Sequence, residues 1–213
     1  MSAVLAPAAQ RVHIERRGLA PYLPTVEAMR EFTARRVADT PDELWLMEHP
    51  PVYTLGLGAD AAHGPRADSG IPVLRVERGG QVTYHGPGQV VLYALVDIAR
   101  RALGVREFVA MLEQSVIDLL AEHGLRAART PGAPGVYVDG AKIAALGLRV
   151  SRGRSFHGLA LNVDVDLAPF AAIDPCGYPG LRVTRLRDLG VEQSCAEAGG
   201  RLAEILVARL AHA

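Results

Sequence analysis

Lysine is almost missing from this sequence. Of 23 basic side chains in 213 residues, 22 are arginine, and the single lysine is Lys142, in the stretch 140–147. Wherever the chain needs only positive charge, it uses arginine, whose guanidinium stays protonated at any ordinary pH. A lysine can be tuned by its surroundings to give up its proton. Lys142 is therefore a candidate for acid–base chemistry, set against the plainer reading of one surface lysine left behind among arginines.

Other scarcities narrow the class. The net charge is zero, which argues against nucleic acid as a partner, because that needs a basic footprint. No apolar run approaches the length of a membrane span, so no membrane association is expected. Residues 1–10 are apolar but short and carry no basic side chain, so they read as a loose tail and not as a signal peptide. The two cysteines, Cys176 and Cys195, make neither a disulfide framework nor a metal-type spacing, and the cytoplasm is the expected compartment. No pair of histidines has His-x-x-x-His spacing, and no metal is expected. Apolar residues make up 49% of the chain, enough for a real core, and residues 1–213 read as one domain.

Three segments carry helical periodicity. Val26, Met29 and Phe32 predict a helix over 24–38, closed by Pro41. Phe108, Met111, Leu112, Val116, Leu119 and Leu120 predict a second over 106–123, stopped by Gly124. Ser194 to Glu197 is a capping-box pattern that opens a third, running to the C-terminus. Between them, 44–47, 52–55, 73–77, 90–98, 136–138, 143–150 and 155–163 read as strands. Asp139-Gly140 is a hairpin-turn signal, because both central residues of a type I′ turn need positive φ. It places Lys142 at the start of a strand. Hairpin strands with helices toward each end of the chain predict an α+β fold with a mixed sheet.

The chemistry-bearing segments lie in the strand-rich middle. Residues 78–89 read Arg-Gly-Gly-Gln-Val-Thr-Tyr-His-Gly-Pro-Gly-Gln: paired glycines that permit close approach, then hydrogen-bonding side chains on a loop between strands. It matches neither a P-loop nor a dinucleotide fingerprint. Ala145-Leu146-Gly147 and the run 156–162 mix small and aliphatic residues. They suit either well-packed core strands or the wall of a narrow apolar slot. Cys176 lies among prolines and glycines, an unusual setting for a buried structural cysteine. A reactive thiol needs help to become a thiolate, and a nearby ammonium would supply it. Cys195 sits behind a capping serine and reads as structural. His49, His85 and His157 compete with Lys142 as a partner base, since Cys–His pairs are common in thiol enzymes. The residues alone leave that choice open, with the arginine-for-lysine bias favouring Lys142.

Residues 78–89, 141–150, 155–163 and 175–178, with 48–56 also fitting, resemble the octanoyltransferase family of lipoate biosynthesis. The match runs in order over roughly residues 42–190 and shows no departure at a position the family's chemistry needs. The resemblance implies a fold similar to the biotin and lipoate protein ligase catalytic domain. It implies transfer of an octanoyl group from octanoyl-acyl carrier protein to a lysine of lipoyl domains, those of 2-oxoacid dehydrogenase complexes and of glycine cleavage H protein, with no cofactor. Cys176 resembles the acyl-accepting nucleophile and Lys142 its acid/base partner. Arg78, Gly79, Gly80, Gln81, Val82, Thr83, Tyr84 and His85, then Ala145, Leu146 and Gly147, then Gly158, Leu159 and Ala160, resemble the acyl-binding walls. His49 and His157 are candidate supports, with the choice between substrate binding and packing open for His85 and His157. Two alternatives remain: an ATP-dependent lipoate or biotin ligase, and a non-enzymatic protein that only binds the acyl carrier. Because carrier proteins and lipoyl domains are acidic, Arg149, Arg152 and Arg154, or Arg182, Arg185 and Arg187, are expected to dock them.

Overall fold

The computed structural model describes residues 11–60, 63–66, 69–175 and 180–213. The expected tail, 1–10, lies outside them, as do Cys176 and its neighbours 177–179. In chain order the strands are β1 (Val12–Leu19), β2 (Asp42–Glu48), β3 (Val52–Leu55), β4 (Val73–Arg75), β5 (Val82–His85), β6 (Gln89–Leu95), β7 (Ala127–Thr130), β8 (Ala133–Val138), β9 (Ala141–Ser151) and β10 (Arg154–Asn162). The helices are α1 (Tyr22–Arg35), α2 (Val105–Glu122) and α3 (Cys195–Leu210).

Seven strands form one sheet in the order β1-β2-β6-β10-β9-β8-β7, and three form a second in the order β4-β3-β5. Only β1–β2 and β3–β4 pair in parallel; the other pairs are antiparallel. The fold is thus α+β with mixed sheets, as expected. Apolar residues of β6, β9 and β10 meet Phe108, Leu112, Val116 and Leu119 of α2 and Leu202 and Leu206 of α3 on one face. Trp45, Tyr93, Leu95 and Phe156 meet Val26, Met29 and Phe32 of α1 on the other.

The helices follow local chemistry. Helix α3 opens on the capping box: the Glu197 N–H donates to Ser194 Oγ at 3.2 Å, and the Ser194 N–H donates to the Glu197 carboxylate at 2.9 Å. Helix α1 starts at Tyr22, earlier than expected, because Pro24 fits the first turn, where its missing N–H has no helical partner to lose. It ends before 38 because Arg36 is already extended, at ψ 135°.

Three strands go beyond the sequence expectation. β1 and β7 are largely exposed edge strands whose apolar faces are short, Val12 and Ile14 in one and Ala127 in the other. β5 lies within what reads as a loop: Val82–His85 pairs residue for residue with Leu55–Val52 of β3. Long-range pairing overrides the flanking glycines there.

Candidate active site

Lys142 is placed by the β8–β9 hairpin. Asp139 and Gly140 have φ of 48° and 75°, the two left-handed residues of the expected turn. Lys142 follows as the second residue of β9 and is 3% exposed. Its Nζ donates to the carbonyl oxygen of Pro134 at 2.9 Å and lies 5.2 Å from the Tyr137 ring centroid. The Lys142 backbone is also clamped from outside the hairpin. Its N–H donates to Arg182 O at 2.8 Å, and its carbonyl accepts from the Thr184 N–H at 3.0 Å.

Lys142 lines a small cavity together with Thr83, Gln89, Asn162 and Pro175, the residue before Cys176. Asp174, one residue earlier, accepts from His63 Nδ1 at 3.2 Å and from Arg66, so the described part of this segment is pinned to 63–66. Cys176 itself lies outside the described residues.

A larger cavity of about 290 Å³ adjoins this one, sharing Thr83 and Ala145 with it. Its walls include Arg78, Gly80, Gln81, Val82, Thr83 and His85 from the segment leading into and along β5. Ala145, Leu146 and Gly147 come from β9, and His157, Gly158, Leu159 and Ala160 from β10. Two glycines permit the close packing of these walls. A Cβ at Gly147 would sit 2.8 Å from Gly79 O, and one at Gly158 would collide with Leu92 O. Arg78 is 7% exposed and ties its own loop: its guanidinium donates to Thr54 O at 2.8 Å, Gln81 O at 2.9 Å and Gly79 O at 2.9 Å.

Among the residues the sequence singles out, Gly79 and Tyr84 do not line this cavity. Tyr84 points to the opposite face of β5, edge-on to Phe170 with centroids 5.4 Å apart. The strand's alternation separates Tyr84 from Thr83 and His85. His49 stands behind the wall. Its Nδ1 donates to Ala20 O at 2.6 Å, and because a carbonyl only accepts, Nε2 must accept from Tyr93 OH at 2.7 Å. Tyr22, Val91, Tyr93, Gly132 and Pro134 also line the cavity. Sequence reasoning misses them because each looks like an ordinary core or turn residue, and only the meeting of α1, β6 and the β7–β8 turn assembles them.

The cavity histidines are neutral at ordinary pH. Burial, then the neighbouring His49, pushes His85 down to about 3. Burial, then Arg78, does the same to His157. His85 Nδ1 bonds Gln89 Oε1 at 2.7 Å, while Gln89 Nε2 donates to Asn162 Oδ1 at 2.9 Å and to Tyr84 O at 3.2 Å. Asn162 Nδ2 donates to Thr184 O at 2.9 Å, completing a buried chain from His85 to the segment that clamps Lys142. Cys195, at the first position of α3, is held protonated: burial, with Glu48 beside it, pushes its thiol up to about 12.

The described residues hold no cluster of histidine, cysteine, aspartate or glutamate able to bind a metal ion. No helix among them is long and apolar enough to cross a membrane.

The model of the lipoyl protein ligase A/B catalytic domain matches residues 22–206. The chain belongs to this family. Within it, the chain is 60% identical over 194 residues to an octanoyltransferase of Azoarcus sp. (strain BH72), covering 91% of this chain and 86% of that protein. It is 57% identical over 197 residues to an octanoyltransferase of Dechloromonas aromatica (strain RCB), covering 92% and 96%. It is an enzyme of the octanoyltransferase group. Solved structures share the fold. A bipartite lipoate protein ligase from Thermoplasma acidophilum superposes with a TM-score of 0.69 at 18% identity, over 94% of this chain and 91% of that one. Biotin protein ligase from Aquifex aeolicus, in complex with biotin and ATP, gives 0.57 at 11% identity, over 94% and 70%. Identities this low speak for the fold alone.

Proposed function

We propose that this enzyme moves an octanoyl group from octanoyl-acyl carrier protein to a lysine of lipoyl domains, those of 2-oxoacid dehydrogenase complexes and of glycine cleavage H protein, through a thioester on Cys176. The observation that carries this reading is the placement of Lys142. The one lysine of the chain is a buried amine beside Pro175, next to a cavity whose walls include the small and apolar residues Ala145, Leu146, Gly147, Gly158, Leu159 and Ala160.

The chemistry follows from the residue types. Lys142 takes the Cys176 thiol proton, giving a thiolate beside an ammonium. The thiolate attacks the octanoyl carbonyl carbon, the bond to the carrier's sulfur breaks, and Lys142 protonates the departing thiol. In the second half the acceptor lysine attacks the new thioester, Lys142 takes the proton from that amine, and the Cys176 thiolate leaves. One thioester replaces another in the first half, and an amide replaces a thioester in the second, so the sequence runs downhill without ATP. An arginine at 142 could not alternate between the two protonation states. Burying the chain's seven methyl and methylene carbons contributes at most about 5–6 kcal/mol, at ~0.8 kcal/mol each.

The test is transfer in the absence of ATP. Enzyme, octanoyl-acyl carrier protein and a lipoyl domain should give octanoylated lipoyl domain. Product that forms only with free octanoate and ATP would mean ligase chemistry instead.

A further inference from the structure

His157 departs from the rest of β10. Its φ is +62°, a value uncommon for a non-glycine residue inside a strand. Side chains along a strand alternate between faces. Phe156 and Ala160 belong to the α1 side of the sheet, and Leu159 and Leu161 to the α2–α3 side. Alternation would send His157 with Leu159. Instead its ring stacks on Phe156, centroids 5.2 Å apart, and meets Tyr93 at 6.0 Å near edge-on. The ladder skips no residue: His157 pairs with Leu148, and Gly158 with Gly147. The strained residue thus turns one imidazole onto the cavity face.

The ring is also chemically out of place. It is 1% exposed, and neither ring nitrogen has a hydrogen-bond partner among the described residues. A neutral imidazole offers one N–H donor and one lone pair, and buried polar groups of this kind are nearly always satisfied. Its position is at the end of the cavity walls away from Lys142. From the Ala160–Ala145 pair to the His157–Leu148 pair is three residues, about 10 Å at ~3.3 Å each, comparable to an extended eight-carbon chain.

We infer that His157 sets the length of acyl chain this enzyme accepts, acting as a polar stop at the far end of the cavity whose ring nitrogens, unpartnered among the described residues, a hydrocarbon chain cannot satisfy. The inference rests on the proposed reading of this cavity as the acyl site. A longer chain packs its last methylenes against a donor and an acceptor they cannot satisfy, so those carbons add no affinity. A steric wall would exclude long chains by size, and two variants separate the cases. Glycine adopts φ +62° without strain and removes the ring. Asparagine also tolerates the left-handed region and keeps a donor and an acceptor in a smaller side chain.

The experiment is titration calorimetry of straight-chain fatty acids of six to fourteen carbons with wild type, His157→Gly and His157→Asn, each checked for folding by thermal melting. Free acids bind without acyl transfer, so the result does not depend on the thioester mechanism. Wild-type affinity should climb about fourfold per methylene, then level off beyond a limit. In His157→Gly the climb should continue to longer chains, while His157→Asn keeps the wild-type limit. A glycine variant with the wild-type limit overturns the inference, as does an asparagine variant that shifts as far as glycine. Wild type alone gives a second reading. An ω-hydroxy acid just past the limit should bind more tightly than the plain acid, because its hydroxyl gives a ring nitrogen the partner that methylenes cannot; equal or weaker binding overturns the inference. Wild type that binds no fatty acid removes the acyl-site reading itself.

Discussion

The side chain of Lys142 crosses Gly135 on the neighbouring strand so closely that a Cβ there would sit 2.9 Å from Lys142 Cε and 3.2 Å from Nζ. Gly135 also has φ +136° and would place that Cβ 2.6 Å from Ala144 O. The glycine is therefore the passage through which the amine reaches Pro134 O. Gly135→Ala should displace the amine as well as strain the backbone. The expected result is a loss of stability of about 1–3 kcal/mol with a fall in kcat far larger than the rise in KM, read by thermal melting and steady-state kinetics. Unchanged kcat would mean that the position of Lys142 over Gly135 does not matter for turnover.

Asn162 joins Gln89 to the segment that clamps Lys142. Asn162→Ala removes the shorter of the two Gln89 Nε2 hydrogen bonds and the donor to the Thr184 carbonyl, at a cost of about 1–3 kcal/mol for a buried unsatisfied group. Asn162→Asp keeps the acceptor for Gln89 but loses the donor to Thr184. Both variants should melt earlier than wild type, with alanine also losing activity. Wild-type melting in both would show that this chain carries no stability.

His157 gives stability a pH dependence of known sign. Burial holds its folded-state pKa at about 3, against an ordinary 6.5. Between those values the unfolded chain binds the proton and the folded protein does not, so stability rises with pH. The contribution is complete above 6.5 and is lost as pH falls through the window, by up to about 1.4 kcal/mol per pH unit. His157→Asn has no proton to bind. Its melting temperature should fall less than that of wild type between about pH 7 and about pH 5. Equal falls would place the acid sensitivity elsewhere.

The arginine clusters separate by position and pairing. Arg154 is tied to Asp97 at 3.3 Å, and Arg185 and Arg187 pair with Asp164 at 3.3 and 2.7 Å, so their charges are partly answered within the chain. Arg182 is exposed, among the described residues its side chain bonds only a backbone oxygen of Asp139, and its own carbonyl accepts from the Lys142 N–H. Arg149 is seven residues beyond Lys142 on β9, roughly 23 Å away at ~3.3 Å per residue. For an acidic carrier delivering its thioester to the Lys142 end, Arg182→Glu should raise KM roughly three- to tenfold, most at low salt. Arg149→Glu should change it little. The reverse order would put the docking surface at the β9–β10 hairpin.

Much of the cavity is legible in the sequence because its walls come from short contiguous motifs. Ala145–Gly147 and Gly158–Ala160 lie side by side on adjacent strands, paired directly in the β9–β10 ladder. The Asp139-Gly140 turn signal is equally local, and it fixes where Lys142 emerges. What is not legible is what depends on distant pairing. Residues 82–85 look like a loop because glycines flank them, yet they pair with β3. Strand β1 is mostly exposed at the sheet's edge, and its apolar alternation stops after Val12 and Ile14, too short to read. Tyr22 and Tyr93 join the cavity only because α1 packs over β6 beside β10. The turn of His157 onto the cavity face has no sequence signal, since a positive φ at histidine breaks the alternation that strand reading relies on.

A thioester on Cys176, formed with Lys142 as its proton partner, would be visible directly by mass. The measurement is intact mass after mixing with octanoyl-acyl carrier protein, without ATP, for wild type, Cys176→Ala and Lys142→Arg. The expected result is one octanoyl group on wild type, discharged when a lipoyl domain is added, none on Cys176→Ala, and acylation slowed about 10²–10⁴-fold in Lys142→Arg. Transfer to the lipoyl domain that persists in Cys176→Ala would mean the acyl group passes directly between partners, and the role given to Cys176 would be wrong.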